Sequence, residues 1–229
     1  MNTVADNLQI IEDRILRACT RAGRDRSAVR LMAVSKLQPP ERIMDAIGLG
    51  LRLFGESRVQ ETLERGDLFP ADAEVHLIGH LQRNKARDAA HLYKAVQSLD
   101  AVRTVEALEK RLAAAERTIT AMVEVNTSGE ESKQGVTEYE ELLEVIRAVE
   151  ESPHLDLNGL MTIGPISTDE RTLRSAFALL RDLRDRVQTE LGRDLPELSM
   201  GMSNDLEEAL MEGSTMIRIG SALFGDRSL

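Results

Sequence analysis

Val29-Arg30-Leu31-Met32-Ala33-Val34-Ser35-Lys36 is a short aliphatic and β-branched run that closes on a hydroxyl and an amine. The next residues, Leu37-Gln38-Pro39-Pro40, cannot continue a strand and suit a turn into a helix. Comparable runs recur at 51–55, 74–80, 95–99, 119–126, 157–163, 197–201 and 216–219, most of them flanked by Gly, Pro, Ser, Asp or Asn. With 29–36 they make eight expected strands. Helical patterns fall between them at 40–49, 100–115 (with Asp100 as the expected cap), 137–149, 169–191 and 206–211. A further helix over 3–22 precedes the first strand. Strands alternating with helices imply right-handed crossovers and a parallel sheet. Eight units in 229 residues predict a single (β/α)8 TIM barrel spanning 1–229, with an extra N-terminal helix. An open doubly wound sheet would ordinarily carry a Gly-rich turn after its first strand, where this chain has Lys36-Leu37-Gln38-Pro39-Pro40.

Composition narrows the function. Net charge is −10 and aromatics are 3% with no Trp, which disfavours a nucleic-acid partner, an anionic membrane surface or base stacking. Cys19 is the one cysteine, so no intrachain disulfide forms, and its apolar neighbours predict a buried thiol. No stretch approaches the apolar length of a membrane span, and the first residues do not resemble a signal peptide. A soluble, cytoplasmic protein is expected, as a monomer or weak dimer.

A barrel places its chemistry at the C-terminal ends of its strands. The chain has 24 Arg against five Lys, so Lys36, closing an apolar strand, stands apart from the ordinary surface cations. Only a lysine amine can deprotonate when desolvated and attack an aldehyde; the alternative is a side chain that snorkels to solvent. Barrels also hold phosphate with the loops after strands seven and eight. There Ser203-Asn204-Asp205 offers three cap residues before a helix, with Glu207 and Glu208 placed for capping-box pairing, and Gly220-Ser221 offers accessible backbone and a hydroxyl. Arg218 lies inside strand eight and points either into the barrel, toward a pyridine nitrogen or a core carboxylate, or out toward the helices. His76 and His80 would share one strand face, but no Cys or carboxylate completes a metal-ligand set. The polar loop 128–135 reads either as a solvated turn or as a lid.

These residues resemble the pyridoxal phosphate homeostasis protein family, related to the barrel domain of alanine racemase. The likeness runs through A-V-S-K ending at Lys36, F-G-E at 54–56, V-Q-E at 59–61 and H-L-I-G-H-L-Q-R-N-K at 76–85. It continues through V-N-T-S-G-E-E-S-K-Q-G at 125–135, G-L-M-T-I-G-P at 159–165, L-S-M-G-M-S-N-D at 198–205 and R-I-G-S-A-L-F-G at 218–225. The resemblance implies pyridoxal 5′-phosphate as cofactor, held as an internal aldimine on Lys36. Ser203, Gly220 and Ser221 would bind its phosphate, and Arg218 would meet its pyridine nitrogen. Asn126 and Met200 are expected to line the pocket. Ser57 stands where the family usually has Asn, and Arg58 where it often has Tyr, which puts one cofactor hydrogen bond in doubt.

An Arg against the pyridine nitrogen keeps that nitrogen unprotonated and weakens the cofactor as an electron sink. Racemisation needs a base on each face of the substrate, and the sequence offers only Lys36. Racemases of the related fold take the second base from another domain, for which this chain has no length. The expectation is therefore a protein that buffers pyridoxal 5′-phosphate and delivers it to dependent apoenzymes, without robust catalytic activity. A weak amino-acid racemase and a cofactor-free Schiff-base aldolase are the alternatives.

Overall fold

A computed structural model describes residues 2–225 and shows a closed parallel barrel with strand order β1 to β8. The strands are β1 (Arg30–Val34), β2 (Leu53–Glu56), β3 (Glu74–Leu77), β4 (Ala95–Leu99), β5 (Ile119–Glu124), β6 (Leu155–Met161), β7 (Glu197–Ser199) and β8 (Met216–Ile219). Closure comes from β1 pairing with β8, Arg30 opposite Met216 through Ala33 opposite Ile219. All eight expected strands are present; β1, β3, β5, β6 and β7 stop earlier than their apolar runs do, while β4 and β8 end where expected. β3 ends at Leu77, so His76 and His80 do not share a strand face. β5 ends at Glu124, short of Asn126.

Preceding the barrel is α1 (Val4–Arg21), the expected extra helix, capped by Thr3 in a box with Asp6. Its apolar stripe, Val4, Ile11, Ile15, Ala18 and Cys19, is buried. Between strands run α2 (Pro40–Gly48), α3 (Val59–Arg65), α4 (Ala86–Leu92), α5 (Val102–Ala115), α6 (Tyr139–Glu150), α7 (Glu170–Leu191) and α8 (Leu206–Met211), with α9 (Ser221–Phe224) after β8. Sequence periodicity missed α3, α4 and α9, which have only seven, seven and four residues and so too few turns to show a stripe. The expected cap of α5 is also corrected: the helix starts after Ala101, which makes no side-chain cap, rather than at Asp100. Nor does a capping box form at α8: Asp205 makes no side-chain cap, its Oδ1 accepting from Met202 N–H, and Glu207 pairs with Arg14.

Alternation divides the side chains into two layers. Leu31, Ala33, Ile217 and Ile219 pack outward against α1, α2 and α8, while Met32, Val34, Leu53, Ile78 and Met216 cluster together on the inward side. The inward layer departs from the usual filling of branched aliphatics. His76, Gln97, Ser199 and Arg218 are all buried there, joined by hydrogen bonds across the barrel. Gly55 makes room for one of its bulky members, since a Cβ at that position would lie 2.6 Å from the Met32 sulfur.

Backbone crowding is most severe at Gly159, where a Cβ would sit 1.9 Å from the Glu197 carbonyl oxygen of the paired strand. Gly159→Ala is expected to destabilise the fold by about 3 kcal/mol, because backbone on both sides must move. Gly66 has helical dihedrals, and a Cβ there would meet nothing within 4 Å, so Gly66→Ala is expected to stabilise by about 0.5 kcal/mol. Urea unfolding of both variants checks the pair; equal effects would contradict the packing described.

Candidate functional site

Turns at the C-terminal mouth build the site one strand at a time. After β1 the chain is pinned at Ser35: its N–H donates to the Gly55 carbonyl (3.1 Å) and its hydroxyl to Glu56 Oε1 (2.7 Å). Its carbonyl accepts from Gln38 N–H (3.1 Å) and Arg65 Nη1 (3.3 Å). Leu37 then takes φ +58°, a left-handed conformation that a leucine adopts only when its surroundings impose it. Lys36 stands between these two constraints, half-buried, at the corner of the turn.

Across the mouth, the β7–α8 turn and the start of α9 meet. Ser203 Oγ accepts from Ala222 N–H (3.3 Å) and from Ser221 Oγ (3.4 Å). Arg14 of α1 holds the same turn from behind, with Nη1 donating to the Ser203 carbonyl (3.0 Å) while Nε and Nη2 grip both oxygens of Glu207 (2.7 Å each). The extra helix thereby fixes the loop that carries Ser203. A Cβ on Gly220 would lie in ordinary contact with Val34, at 3.6 Å, so the glycine does not relieve a clash there.

Arg218 supplies the base of the site. Its side chain turns inward and is buried, with Nη1 donating to Ser199 Oγ and Nη2 to the Thr162 carbonyl, both at 2.7 Å. These use two of five N–H donors. Burial pulls the guanidinium down to about 10, against the opposing charges of Asp205 and Glu124, and at neutral pH it stays a cation.

One cavity of about 270 Å³ gathers Lys36, Ser203, Arg218, Gly220 and Ser221 on its wall. Three other expected site residues lie elsewhere. Ser57 lines a separate depression with Arg58, Gln60, His80 and Lys85. Asn126 is engaged by the 128–135 loop, donating to the carbonyls of Glu130 (2.9 Å) and Lys133 (3.4 Å) and accepting from Ser128. Met200 is fully buried in the layer between barrel and helices, its neighbour Ser199 having taken the inward direction. Gln38 and Ile163 also line the cavity and were not anticipated, and Asp205 of the expected Ser203-Asn204-Asp205 cap lies there too. The loop itself is tied down, since Lys133 Nζ donates to Glu130 Oε1 (2.8 Å) and the Gly164 carbonyl (2.7 Å). Among the described residues no cluster of His, Cys, Asp and Glu could hold a metal, and no helix is long and apolar enough to cross a membrane.

A parallel barrel with an amine, a pair of seryl hydroxyls and a buried guanidinium at its C-terminal mouth defines a class: the alanine racemase N-terminal domain, whose family model matches residues 7–228. The chain belongs to the pyridoxal phosphate homeostasis protein family within that class. It is 41% identical over 223 residues to the family's protein from Aquifex aeolicus, covering 97% of each chain. It also resembles PipY of Synechococcus elongatus, solved with pyridoxal phosphate bound, at 33% identity and a TM-score of 0.78, over 94% of this chain and all of that one. Alanine racemase of Clostridium difficile shares the fold at 15% identity and a TM-score of 0.77, and this chain spans 57% of it.

Sequence reading missed one titratable group beside the site. Glu124 closes β5 and is buried; burial pushes its carboxyl up to about 7, with Asp100 adding to the shift and Arg218 opposing it. A folded-state value above the ordinary 4.5 means the native state keeps a proton that the unfolded chain releases. The contribution is therefore fully present below about pH 4.5 and is lost as pH rises through about 7. Glu124→Gln, which never ionises, is expected to gain on the wild type by up to roughly 3 kcal/mol between those limits. Urea unfolding of both proteins across this range checks it, and parallel stability curves would refute it.

Proposed function

We propose that this chain binds pyridoxal 5′-phosphate at the C-terminal mouth, with Lys36 as the covalent attachment point, and serves in keeping and delivering that cofactor. The observation that carries the reading is the convergence of Lys36, Ser203, Ser221 and Arg218 on one cavity. The residues fit the group. Two hydroxyls and the Ala222 N–H are donors suited to a phosphoryl end, and Gly220 lines the same cavity with backbone alone. Arg218 still has N–H groups to offer a pyridine nitrogen, and being a cation it donates without giving up a proton. When bound, the cofactor supplies an aldehyde carbon for the lysine amine and, with an unprotonated ring, only a weak electron sink.

The same wall argues for holding over turnover. Proton abstraction and return on opposite faces of a substrate need two acid–base groups. The titratable groups on the cavity wall, besides Lys36, are Arg218, too basic for that work, and Asp205, whose Oδ1 accepts from Met202 N–H. Lys36 is only half-buried, and the rim beside it, Leu37 and Ile163, is partly exposed. That openness suits exchange with free cofactor and with recipient apoenzymes. The names and bound ligand of the relatives support the same reading.

Incubation with pyridoxal 5′-phosphate should yield a yellow protein, and borohydride reduction followed by peptide mass spectrometry should place the added mass on Lys36. Lys36→Ala should lose both. Ser203→Ala and Ser221→Ala should keep the attachment but lower affinity about tenfold or more each, from the loss of a hydrogen bond to a charged group. Label elsewhere in the wild-type chain would refute the assignment. Robust amino-acid turnover, seen as α-proton exchange in deuterium oxide at rates typical of enzymes, would overturn the carrier role.

A further inference from the structure

The inward residues of four strands form a continuous hydrogen-bonded line through the barrel. Arg218 Nη1 on β8 donates to Ser199 Oγ on β7 (2.7 Å), and Ser199 Oγ donates to Gln97 Oε1 on β4 (2.7 Å). Gln97 Nε2 meets His76 Nδ1 on β3 (2.9 Å) and the Met216 sulfur (3.1 Å). At the far end His76 Nε2 faces Glu74 Oε2 at 3.6 Å. His76 there lines a second cavity, at the N-terminal mouth, together with Arg30, Glu74, Lys94, Asn158 and Glu197.

The direction of every bond follows from one end. A guanidinium can only donate, so Ser199 Oγ must accept from it. The single hydroxyl proton of Ser199 then goes to Gln97, which must present its carbonyl oxygen. That leaves the Gln97 amide nitrogen, donor only, toward His76. His76 Nδ1 must therefore be the unprotonated nitrogen, and the ring proton sits on Nε2, toward Glu74. A second proton on Nδ1 would set two donors against each other and break the line.

We infer that Ser199, Gln97 and His76 are positioning residues that hold the Arg218 guanidinium in its orientation, and that they do so with His76 neutral in its Nε2–H form. The inference rests on the reading of Arg218 as a cofactor-site group. Burial disfavours the charged imidazole, as does the nearby Arg30 cation, while Glu74 and Glu197 pull the other way. The charged groups facing His76 across the N-terminal cavity are Arg30, Lys94, Glu74 and Glu197, and Arg30 is paired with both carboxylates. The line thus connects the chemistry of one mouth of the barrel to a mixed-charge cavity at the other.

Nitrogen-15 imidazole spectra of the intact protein test the arrangement, with His76→Gln assigning the His76 signal among the four histidines. The expected result is a neutral Nε2–H ring that does not titrate between about pH 5 and 8. A proton on Nδ1, or an ordinary titration, would overturn the inference. In Gln97→Glu both side-chain oxygens accept, so Ser199 keeps its partner while His76 must donate from Nδ1 and becomes easier to protonate. Gln97→Leu and Ser199→Ala interrupt the line. They should shift the Arg218 Nε–H resonance with or without cofactor, change the pH profile of the bound-cofactor absorbance, and weaken retention about tenfold. Gln97→Glu should keep retention within about threefold. Unchanged Arg218 resonances and spectra in both interrupting variants would sink the relay even if Lys36 labels normally. Loss of Lys36 labelling in the wild type would instead sink the cofactor reading and leave the imidazole and Arg218 tests standing.

Discussion

A guanidinium cation on the inward side of a parallel barrel is the constraint around which the rest of this molecule is arranged. Removing such a group from water is costly unless its N–H donors find acceptors, and an unpaired one would strip the barrel of its stability. Arg218 meets the requirement without a bonded carboxylate, using the Ser199 hydroxyl on β7 and the Thr162 carbonyl just past β6. Three consecutive strand ends are thus cross-linked from inside. Ser199 then needs an acceptor of its own, Gln97 needs one in turn, and polar residues replace branched aliphatics across the barrel. Met32 and Met216 fill the irregular space that remains, as flexible thioethers do well. Even the turn that leaves β7 depends on this strand: Arg218 N–H donates to the Gly201 carbonyl, and Gly201, at φ +94°, has no room for a Cβ beside Ala209.

The groups on the cavity wall are held from outside it. Lys36 inherits its place from Ser35, which is fixed through Glu56 and Arg65 on the helix-facing side of the strands. Glu56 is fully buried, one of its oxygens has no hydrogen-bond partner, and burial raises its carboxyl above the ordinary range. Such a group is tolerated because Ser35 bonds one oxygen and the nearby Arg65 and Lys36 cations oppose the cost of burial. Ser203 is held similarly by Arg14, so α1 does more than cover the outer face of the barrel. Both supports are side-chain bonds between elements far apart in sequence, Arg14 to Glu207 and Ser35 to Glu56 among them, and none leaves a local signature.

That difference explains what the sequence revealed. Eight strands could be read because parallel strands are buried on both faces and appear as unbroken apolar runs. The C-terminal limits of β3 and β5 could not, because the loops leaving them are themselves apolar for a residue or two. The long helices were visible through their stripes; α3 and α4 were not, since two turns carry too little periodicity. At the site, position after a strand identified Lys36, Ser203, Gly220 and Ser221, residues that the fold brings to one cavity. The same rule could not tell which face a residue takes. Met200 and Ser199 are neighbours, and one step of alternation sends the hydroxyl into the barrel and the thioether to the helices. Family likeness singled out Asn126 and Ser57, but Asn126 is committed to its own loop and Ser57 faces a different depression. A signal for the inner line was present in the sequence: Gln97 is a polar interruption at the centre of β4, and Ser199 lies between the apolar Leu198 and Met200, both positions where a buried polar side chain must find a partner.

The distribution of perturbed titratable groups bears on whether the site holds or transforms its ligand. Catalytic pockets concentrate shifted acids and bases on their walls, poised to exchange protons with a substrate. Here the carboxyls and imidazole that burial shifts lie off that wall. Glu56 sits behind β2 bonded to Ser35, His76 opens on the opposite mouth, and Glu124 is buried at the end of β5. Burial dominates all three shifts, which marks them as consequences of packing polar groups into a barrel. What reaches the cavity is one amine, the Asp205 carboxylate already engaged by Met202 N–H, hydroxyl and amide donors, and a cation fixed by its neighbours. Donors of that kind bind an anionic, aromatic aldehyde well and are poorly equipped to move protons on whatever is attached to it. A barrel that keeps its burial-shifted acids and imidazole off the cavity wall supports the proposed role of retaining the cofactor, and a half-buried lysine is compatible with its exchange.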